Sequence, residues 1–431
     1  VKQKGKKEKK TKKIGSTLQP FYLHNSLPLT LFGHGKTTKA IAERIAKAIF
    51  FDDSAEKPYV DENGFEVYPA NLFDPDKSSL EIPSPGIPPS NPLIKKAKNL
   101  ISEYDLFLAP PFALHPSPLT VWISGTNGKT TTTAMTEHLL SSYGAQSGGN
   151  IGTPLAKLDT RSKIWILETS SFTLHYTKFA KPDIYILLPV KPDHISWHGS
   201  FENYERSKLK PLSMMKEGDI CIIPSKYSSV KTDALKITYD SAESLAKKMD
   251  IDTSKIGFKG AFLLDALLAL SVSKILFDKT DYEKINKFSI GAHRQEIFTD
   301  KRGRIWLDDS KATNPDATIE ALKVYSDKKI HLILGGDAKG ADPGELFKYM
   351  KNLDIKIYLI GASTDEFYGL CKRYKIECIK CEILDIAVQE IDKKHTEKSV
   401  ALLSPAAASL DQFSSYKERG EKFKKLVLNL S

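Results

Sequence analysis

The stretch Leu119 to Ala134, LTVWISGTNGKTTTTA, constrains this chain more than any other. Leu119 to Ile123 is a short apolar, β-branched run of the kind found in buried parallel strands. Ser124 to Gly128 turns the chain, and Lys129-Thr130-Thr131 opens a helical pattern through Met135 and Leu139. Strand, glycine turn, then helix is a phosphate cradle. Backbone N–H groups and the helix N-terminus face an anion, Lys129 adds a point charge, and Thr130 can reach Mg²⁺. The spacing is not that of the general P-loop, whose leading glycine would fall at Ile123; the shorter GTNGKT stands here. A glycine turn with a surface lysine is the bland alternative, and the strand and helix on either side argue against it. The stretch reads as an ATP site.

A chain of 431 residues exceeds one hydrophobic core, so two or three domains are expected. The net charge of +10 suggests a nucleic-acid binder, but Val1 to Lys13 alone holds eight lysines against one glutamate. The rest of the chain is only slightly basic, which argues against a duplex-binding stripe. Four cysteines (Cys221, Cys371, Cys378 and Cys381) suggest free thiols in a reducing, cytoplasmic setting. Cys378 and Cys381 form a C-x-x-C without a second pair or a histidine at ligand spacing, so thiols rather than zinc are expected. The apolar segment Ala261 to Phe277 is interrupted by Asp265 and Lys274 and reads as a core helix, not a membrane span. No signal-peptide core is present. Residues 1–28 are expected to be a disordered, Lys-rich tail outside the fold.

After the tail, Leu29 to Phe32 is a short strand followed by Gly33-His34-Gly35-Lys36-Thr37-Thr38 and a helix to about Ile49. A second strand ends at Asp52-Asp53. This βαβ start has a Gly-x-Gly turn but lacks the third glycine, so a nucleotide site and a plain tight turn both remain open. Ser84-Pro85-Gly86 opens a rigid loop, Leu93 to Ile101 is expected to be a helix, and Pro110, Pro111, Pro116 and Pro118 read as a linker. Beyond the phosphate loop, Gly148 to Gly152 makes a second glycine turn around Asn150. Strand Ile164 to Leu167 delivers Glu168 ahead of Ser170, and strand Ile184 to Leu188 leads to Asp193-His194. Acids at the carboxyl ends of parallel strands are where α/β sheets hold ligands. Tyr204 to Lys208 lies on a polar helix, where a single lysine is ordinarily solvated.

Past Ile275 the chain restarts. Gly291 to Glu296, with His293-Arg294, leads to strand Arg304 to Leu307 and then Asp309-Ser310-Lys311-Ala312-Thr313-Asn314. Strand Ile330 to Leu334 ends in Gly335 to Gly340, with Lys339, and strands Lys356 to Ile360 and Val400 to Leu403 follow. This alternation predicts a doubly wound third domain. The expected fold is α/β in three domains. Residues 29–104 are Rossmann-like, 105–290 a P-loop-type ATPase with a parallel sheet, and 291–431 again Rossmann-like.

GTNGKT at 125–130, Glu168 before Ser170-Ser171-Phe172, Asp193-His194, Tyr204-x-x-x-Lys208, His293-Arg294 and DSKATN at 309–314 stand in that order. Together with GGDAKGAD at 335–342 and SPAAASLDQF at 404–413, they resemble the Mur ligases of peptidoglycan synthesis. The resemblance covers roughly residues 29–431. Folylpolyglutamate synthases share the phosphate loop and ligation chemistry but typically read GTNGKGS, and they are the alternative.

The resemblance implies a bacterial, cytoplasmic, monomeric ligase. It would use ATP and two Mg²⁺ ions to join D-glutamate to UDP-N-acetylmuramoyl-L-alanine through an acyl phosphate, with no nucleic acid or membrane partner. It implies that Gly125, Thr126, Asn127, Gly128, Lys129, Thr130 and Thr131, with Arg294 and Asp309, hold ATP. Thr130, Glu168, His194 and Lys208, the last as a CO₂-derived carbamate, would hold the metals, and Lys129, Glu168, His194 and Lys208 would carry catalysis. The uridine substrate falls to Gly33, Gly35, Thr37, Thr38, Ser84, Gly86, Asn150, Ser170 and His194. D-Glutamate falls to Lys311, Thr313, Lys339, Ser409 and Tyr416, with Ser409 expected to start the last helix and share a face with Tyr416. The chain departs from the family at Ala261 to Asp265, where an adenine-side HNxxN element is usual and only Asp265 is polar. It departs also at Thr173, Pro189 and Tyr416.

Overall fold

The computed structural model describes residues 28–45, 47–110, 113, 118–338 and 342–430. Residues 1–27 of the expected tail, and Lys339, lie outside them. The chain forms two compact units. The first takes the described residues before Pro118 together with Pro154–Thr160 and Tyr176–Ala180, and the second takes the remainder.

The first unit is built on a five-stranded sheet of order β3-β4-β2-β1-β5. Its strands are β1 (Leu29–Phe32), β2 (Ala48–Asp52), β3 (Tyr59–Val60), β4 (Glu66–Pro69) and β5 (Leu80–Pro83). β1 is parallel to both β2 and β5 and is buried along its whole length, as a central strand requires. Helix α1 (Lys36–Ile45) covers the sheet with Ala40, Ile41 and Ala42. The helix expected over Leu93 to Ile101 is shorter. It runs only over Pro92–Lys96, because Ala97 is extended and the segment beyond it pairs with Glu81. The amide of Asn99 donates to Glu81 Oε2 (2.6 Å), so backbone groups that a longer helix would have used are spent on the sheet edge. Asp105, buried, accepts from the amides of Phe179 (2.7 Å), Ala180 (2.8 Å) and Lys178 (2.9 Å), which anchors Tyr176–Ala180 to this unit.

The second unit holds two six-stranded sheets. In one, β6 (Leu119–Ser124), β7 (Ala145–Gly149), β8 (Ile164–Glu168), β9 (Ile184–Leu187), β10 (Ile220–Pro224) and β11 (Leu235–Tyr239) lie parallel in the order β11-β10-β9-β6-β8-β7. Helix α2 (Lys129–Leu140) and helix α5 (Ala261–Phe277) share its core through Met135, Leu139 and Ala266 to Leu270. Among the described residues no helix is long and apolar enough to cross a membrane. Between α2 and α5 come α3 (Ser171–Tyr176) and α4 (Phe201–Leu209).

The other sheet runs β12-β13-β17-β14-β15-β16, from β12 (Glu296–Thr299), β13 (Ile305–Asp308), β14 (Lys329–Gly335), β15 (Ile355–Ile360), β16 (Glu377–Glu382) and β17 (Ser399–Leu403). It is parallel except for β12, which pairs antiparallel at the edge. Leu332 and Leu334 enter one core and Ile333 the other, the period-two alternation of a sheet buried on both faces. Helices α6 (Pro315–Val324) and α7 (Tyr416–Leu428) pack against this sheet. Ser409 does not start the last helix. Ser415 caps it by accepting from the Glu418 amide (3.2 Å), and residues 409–413 form a separate turn. Ser409 and Tyr416 therefore share no helical face.

Candidate active site

The phosphate loop leaves β6 at Ser124 with Gly125 at φ +141° and ends with Gly128 at φ +83°. A Cβ at Gly125 would lie 2.4 Å from Leu188 Cβ, and one at Gly128 2.5 Å from Asp265 Oδ1, so both positions require glycine. The loop is pinned by the Thr126 amide donating to Pro189 O (3.1 Å) and the Thr126 hydroxyl donating to Lys191 O (3.0 Å). Lys129 Nζ donates to the loop's own carbonyls, Thr126 O (2.7 Å) and Gly125 O (3.0 Å). Burial holds its pKa below the usual lysine range, partly offset by Glu168 and Asp193. Thr131 Oγ1 is buried without a hydrogen-bond partner at the first turn of α2, an acceptor or donor left for a ligand. Thr130 is half-buried beside it.

Asp265, which the sequence marked only as the polar remnant of a missing element, proves to brace this loop. It is buried, accepts from Thr132 Oγ1 (2.9 Å), and is pushed up to about 7 by burial. Nothing local in the sequence signals that role, since the partners are 133 residues apart.

Glu168 ends β8 and accepts from Asn150 Nδ2 (2.7 Å), while the Asn150 amide donates to Glu168 O (2.9 Å). Ser170 takes the amide of Thr173 (3.0 Å) at the start of α3. His194 sits in the left-handed region (φ 52°), with its amide on Asp193 Oδ1 (2.8 Å) and its ring 4.8 Å from that of Phe172. Lys208 is not the solvated lysine its helix suggested. Its side chain is buried, and Nζ donates to Gly125 O at 2.7 Å, the same carbonyl that Lys129 uses. Burial, then repulsion from Lys129, drives its pKa well below the usual lysine range. Tyr204 lies beneath, its ring 4.8 Å from Lys208 Nζ and its hydroxyl 2.9 Å from Thr126 Oγ1.

The third sheet contributes from the same unit. Asp309 accepts from Ser404 Oγ (2.8 Å) and the Gln295 amide (3.2 Å) and is raised by burial to about 7. The guanidinium of Arg294 acts electrostatically on Lys129, Asp265, Asp309 and Lys311, which gathers these four around one charge. Lys311 Nζ lies 4.1 Å from the centre of the Tyr416 ring, and burial pushes its pKa down to about 8. Thr313 is exposed and Ser409 buried. Asn127 of the phosphate loop and Asn314, the cap of α6, exchange side-chain amide bonds (3.2 and 3.0 Å). That pair was not singled out in the sequence, although Asn-Pro-Asp at 314–316 is a helix-start signal.

In the first unit, Gly33 turns at φ +81°, and Thr38 Oγ1 donates to Gly33 O (2.6 Å) and Gly35 O (3.1 Å), so its hydroxyl shapes the turn. Thr37, Ser84 and Gly86 lie in the segments that follow β1 and β5. Asp52 takes the His34 amide (2.6 Å) and Asp61 the His34 ring (2.8 Å); Asp61 lies on an excursion that sequence patterning had passed over. Asn150, Ser170 and His194, expected to serve the same substrate, belong to the second unit.

For metals, the hard oxygen of Glu168 and the hydroxyl of Thr130 suit Mg²⁺, whereas a lysine amine offers it only weak ligation. Among the described residues, the group of three His, Cys, Asp or Glu ligand atoms within 4.8 Å of one another is His293, Glu296 and Asp308 rather than Glu168 with His194. Glu168 and Thr130 thus offer hard oxygen donors of the kind Mg²⁺ takes.

The profile of the Mur ligase middle domain matches residues 123–260. The chain is 52% identical over 405 residues to the UDP-N-acetylmuramoylalanine–D-glutamate ligase of Campylobacter jejuni subsp. jejuni (strain 81-176), covering 93% of this chain and 99% of that one. It is 48% identical over 421 residues to the enzyme of the same name from Helicobacter pylori (strain ATCC 700392 / 26695), covering 93% and 100%. Among solved structures it is similar to the MurF ligase of Thermotoga maritima in complex with ADP (TM-score 0.57, 15% identity, 88% of this chain and 94% of that one). It is similar also to the UDP-N-acetylmuramate-alanine ligase MurC of that organism (TM-score 0.54, 17% identity, 93% and 98%). The phosphate loop, the buried lysine beside it and these relatives converge on one assignment: the chain belongs to the Mur ligase family.

Proposed function

We propose that this chain joins the amino group of D-glutamate to the carboxylate of UDP-N-acetylmuramoyl-L-alanine at the expense of ATP, in peptidoglycan precursor synthesis. The observation that carries the reading is the pair of lysines sharing one loop carbonyl, Lys129 and Lys208 on Gly125 O. A phosphate entering the cradle gives Lys129 a stronger partner than those carbonyls. Thr131, with its buried hydroxyl, and the α2 N-terminus take further phosphate oxygens.

Lys208 is enclosed and its pKa is pushed down by burial, which favours the free amine whose lone pair can add to CO₂. The amine attacks carbon, one proton leaves, and a carbamate anion results. Its oxygens, with Glu168, Thr130 and His194, would hold two Mg²⁺. Those ions, when bound, neutralise charge accumulating between nucleotide and carboxylate. The substrate carboxylate attacks the γ-phosphorus, ADP leaves, and the resulting acyl phosphate is attacked by the deprotonated amine of D-glutamate. Inorganic phosphate departs as the amide forms. Arg294 and Asp309 close on the nucleotide side. Lys311, seated on Tyr416, faces one carboxylate of D-glutamate, with Thr313 and Ser409 serving the same substrate; Lys339, outside the described residues, is assigned to it from the sequence resemblance alone. Gly33, Gly35, Thr37, Thr38, Ser84 and Gly86 serve the uridine nucleotide, and Asn150, Ser170 and His194 the muramoyl end. Residues 29–104, 105–290 and 291–431 serve as the three working domains.

The test is ADP release with UDP-N-acetylmuramoyl-L-alanine and a panel of amino acids. D-Glutamate is expected to stimulate it far above L-glutamate, L-lysine, diaminopimelate or L-alanine. Equal stimulation by any of these overturns the acceptor assignment, and stimulation by L-glutamate with dihydrofolate instead would identify a folate-type ligase.

A further inference from the structure

We propose that Gly420, in the middle of α7, is a positioning residue: by admitting the His293–Asp308 pair against the helix it sets Arg294 and Lys311, so that one knot aligns the nucleotide and amino-acid sides. The proposal rests on the functional reading above.

A glycine inside a helix costs about 1 kcal/mol relative to alanine, so its presence asks for a reason. Gly420 lies on the buried face of α7 with Phe423 and Val427. A Cβ there would fall 2.2 Å from His293 Nδ1 and 2.7 Å from Asp308 Oδ2. These two atoms are themselves 2.7 Å apart, with side chains 6% and 0% exposed. Any side chain at 420 would have to displace that pair.

The bond matters for what is tied to it. His293 (φ 64°) and Gln295 (φ 47°) both adopt left-handed backbone, an uncommon state for residues other than glycine, and Arg294 is held between them. The Gln295 amide is fixed by Asp309 Oδ1 (3.2 Å), and the His293 amide by Glu296 Oε2 (3.1 Å). The Lys311 amide donates to His293 O (3.1 Å), so the same residue locates the start of the D-glutamate loop. Helix α7 completes the knot on either side of Gly420. Arg419 Nε donates to Ser310 Oγ (3.0 Å), and Lys424 Nζ pairs with both oxygens of Glu296 (3.1 and 3.0 Å). The gathering of His293, Glu296 and Asp308 has metal-like spacing, but Lys424 already neutralises Glu296 and His293 already bonds Asp308. It serves as a structural knot.

The experiment is Gly420→Ala in the full chain, with melting temperature, nucleotide affinity and steady-state kinetics measured together. A glycine that only makes room for the His293–Asp308 pair predicts a lower melting temperature from the crowded Cβ but unchanged kinetic and binding constants in the folded variant. Positioning predicts a KM for D-glutamate and a dissociation constant for ATP that each rise tenfold or more, with UDP-substrate affinity within twofold of wild type. Unchanged constants in a folded variant overturn the proposal. Should the alanine variant fail to fold, Asp308→Asn keeps the volume and removes the charge that holds His293. It is expected to raise both constants at least threefold, and wild-type values there overturn the proposal as well. Nucleotide affinity is read without turnover, so a wild-type chain inactive toward D-glutamate would defeat the functional reading while the positioning of Arg294 is still decided.

Discussion

Replacing Asn314 by aspartate probes the link between the phosphate loop and α6 with little change of shape. Asn314 Oδ1 accepts from the Ala317 amide (3.0 Å) and Asn127 Nδ2 (3.2 Å), and its Nδ2 donates to Asn127 Oδ1 (3.0 Å). Aspartate keeps the acceptor that caps the helix, and its charge at the N-terminus favours α6 by about 0.3–1 kcal/mol. What it loses is the donor. An oxygen then faces Asn127 Oδ1, and flipping the Asn127 amide only moves the conflict to the other oxygen. Losing one neutral hydrogen bond costs about 0.5–1.5 kcal/mol, and leaving a shielded acceptor opposed to another costs about 1–3 kcal/mol. Because α6 retains its cap, this cost should appear in the alignment of the two loops rather than in folding. At 1.4 kcal/mol per factor of ten, kcat/KM for D-glutamate should fall roughly 5- to 100-fold. Melting temperature should be unchanged or raised. A double-mutant cycle with Asn127→Ala, read by ADP release, should give a coupling of at least about 1 kcal/mol. Wild-type kinetics in Asn314→Asp, or additive single effects, would refute the reasoning.

Lys129→Ala should lose about 10²–10³ in turnover, the common result of removing one transition-state contact, while UDP-substrate binding persists; calorimetry separates the two. Lys208→Ala should be inactive and partly restored by acetate, and intact-protein mass under CO₂ should show an added carboxyl on the wild-type chain but not on the variant. Lys311 is charged below its pKa of about 8 and loses its charge above it. The KM for D-glutamate should therefore stay level up to pH ~7.5 and rise through pH 8–9, a rise absent in Lys311→Arg. His331 and His395 are buried and held down to about 4, so the unfolded chain binds more protons than the native one between about 4 and the unfolded value of 6.5. Stability is then full above pH 6.5 and falls as pH drops toward 4, by on the order of 1–3 kcal/mol per histidine. Denaturant midpoints across that window that did not move would remove this account.

Parts of the molecule whose cause is local were legible from the residues alone. A buried strand, two glycines and a lysine at fixed spacing force a strand–turn–helix whatever surrounds them, and β6, the loop and α2 stand where that pattern put them. Runs of apolar residues ending in Glu168 and in Asp308-Asp309 likewise marked strands whose carboxyl ends carry the acids. Choices among equivalent local signals were not legible. Ser409 and Ser415 are both plausible helix caps, and the chain starts α7 at the second. Arg419 binds the carbonyls of Ala407 (3.1 Å) and Ala408 (3.4 Å), which fixes the segment before the helix as a loop. Burial and charge were decided by tertiary structure alone. Lys208 has the neighbours of a solvated residue along its helix, and its pKa is driven down only because β6 and Lys129 enclose it. Asp265 meets the phosphate loop across 133 residues, and Asn127 meets Asn314 across 187. Hydrogen-bond partners so far apart in sequence leave no periodicity to read. Their pairing follows from how the sheets and helices pack, because a buried polar group must find its partner wherever the fold brings one.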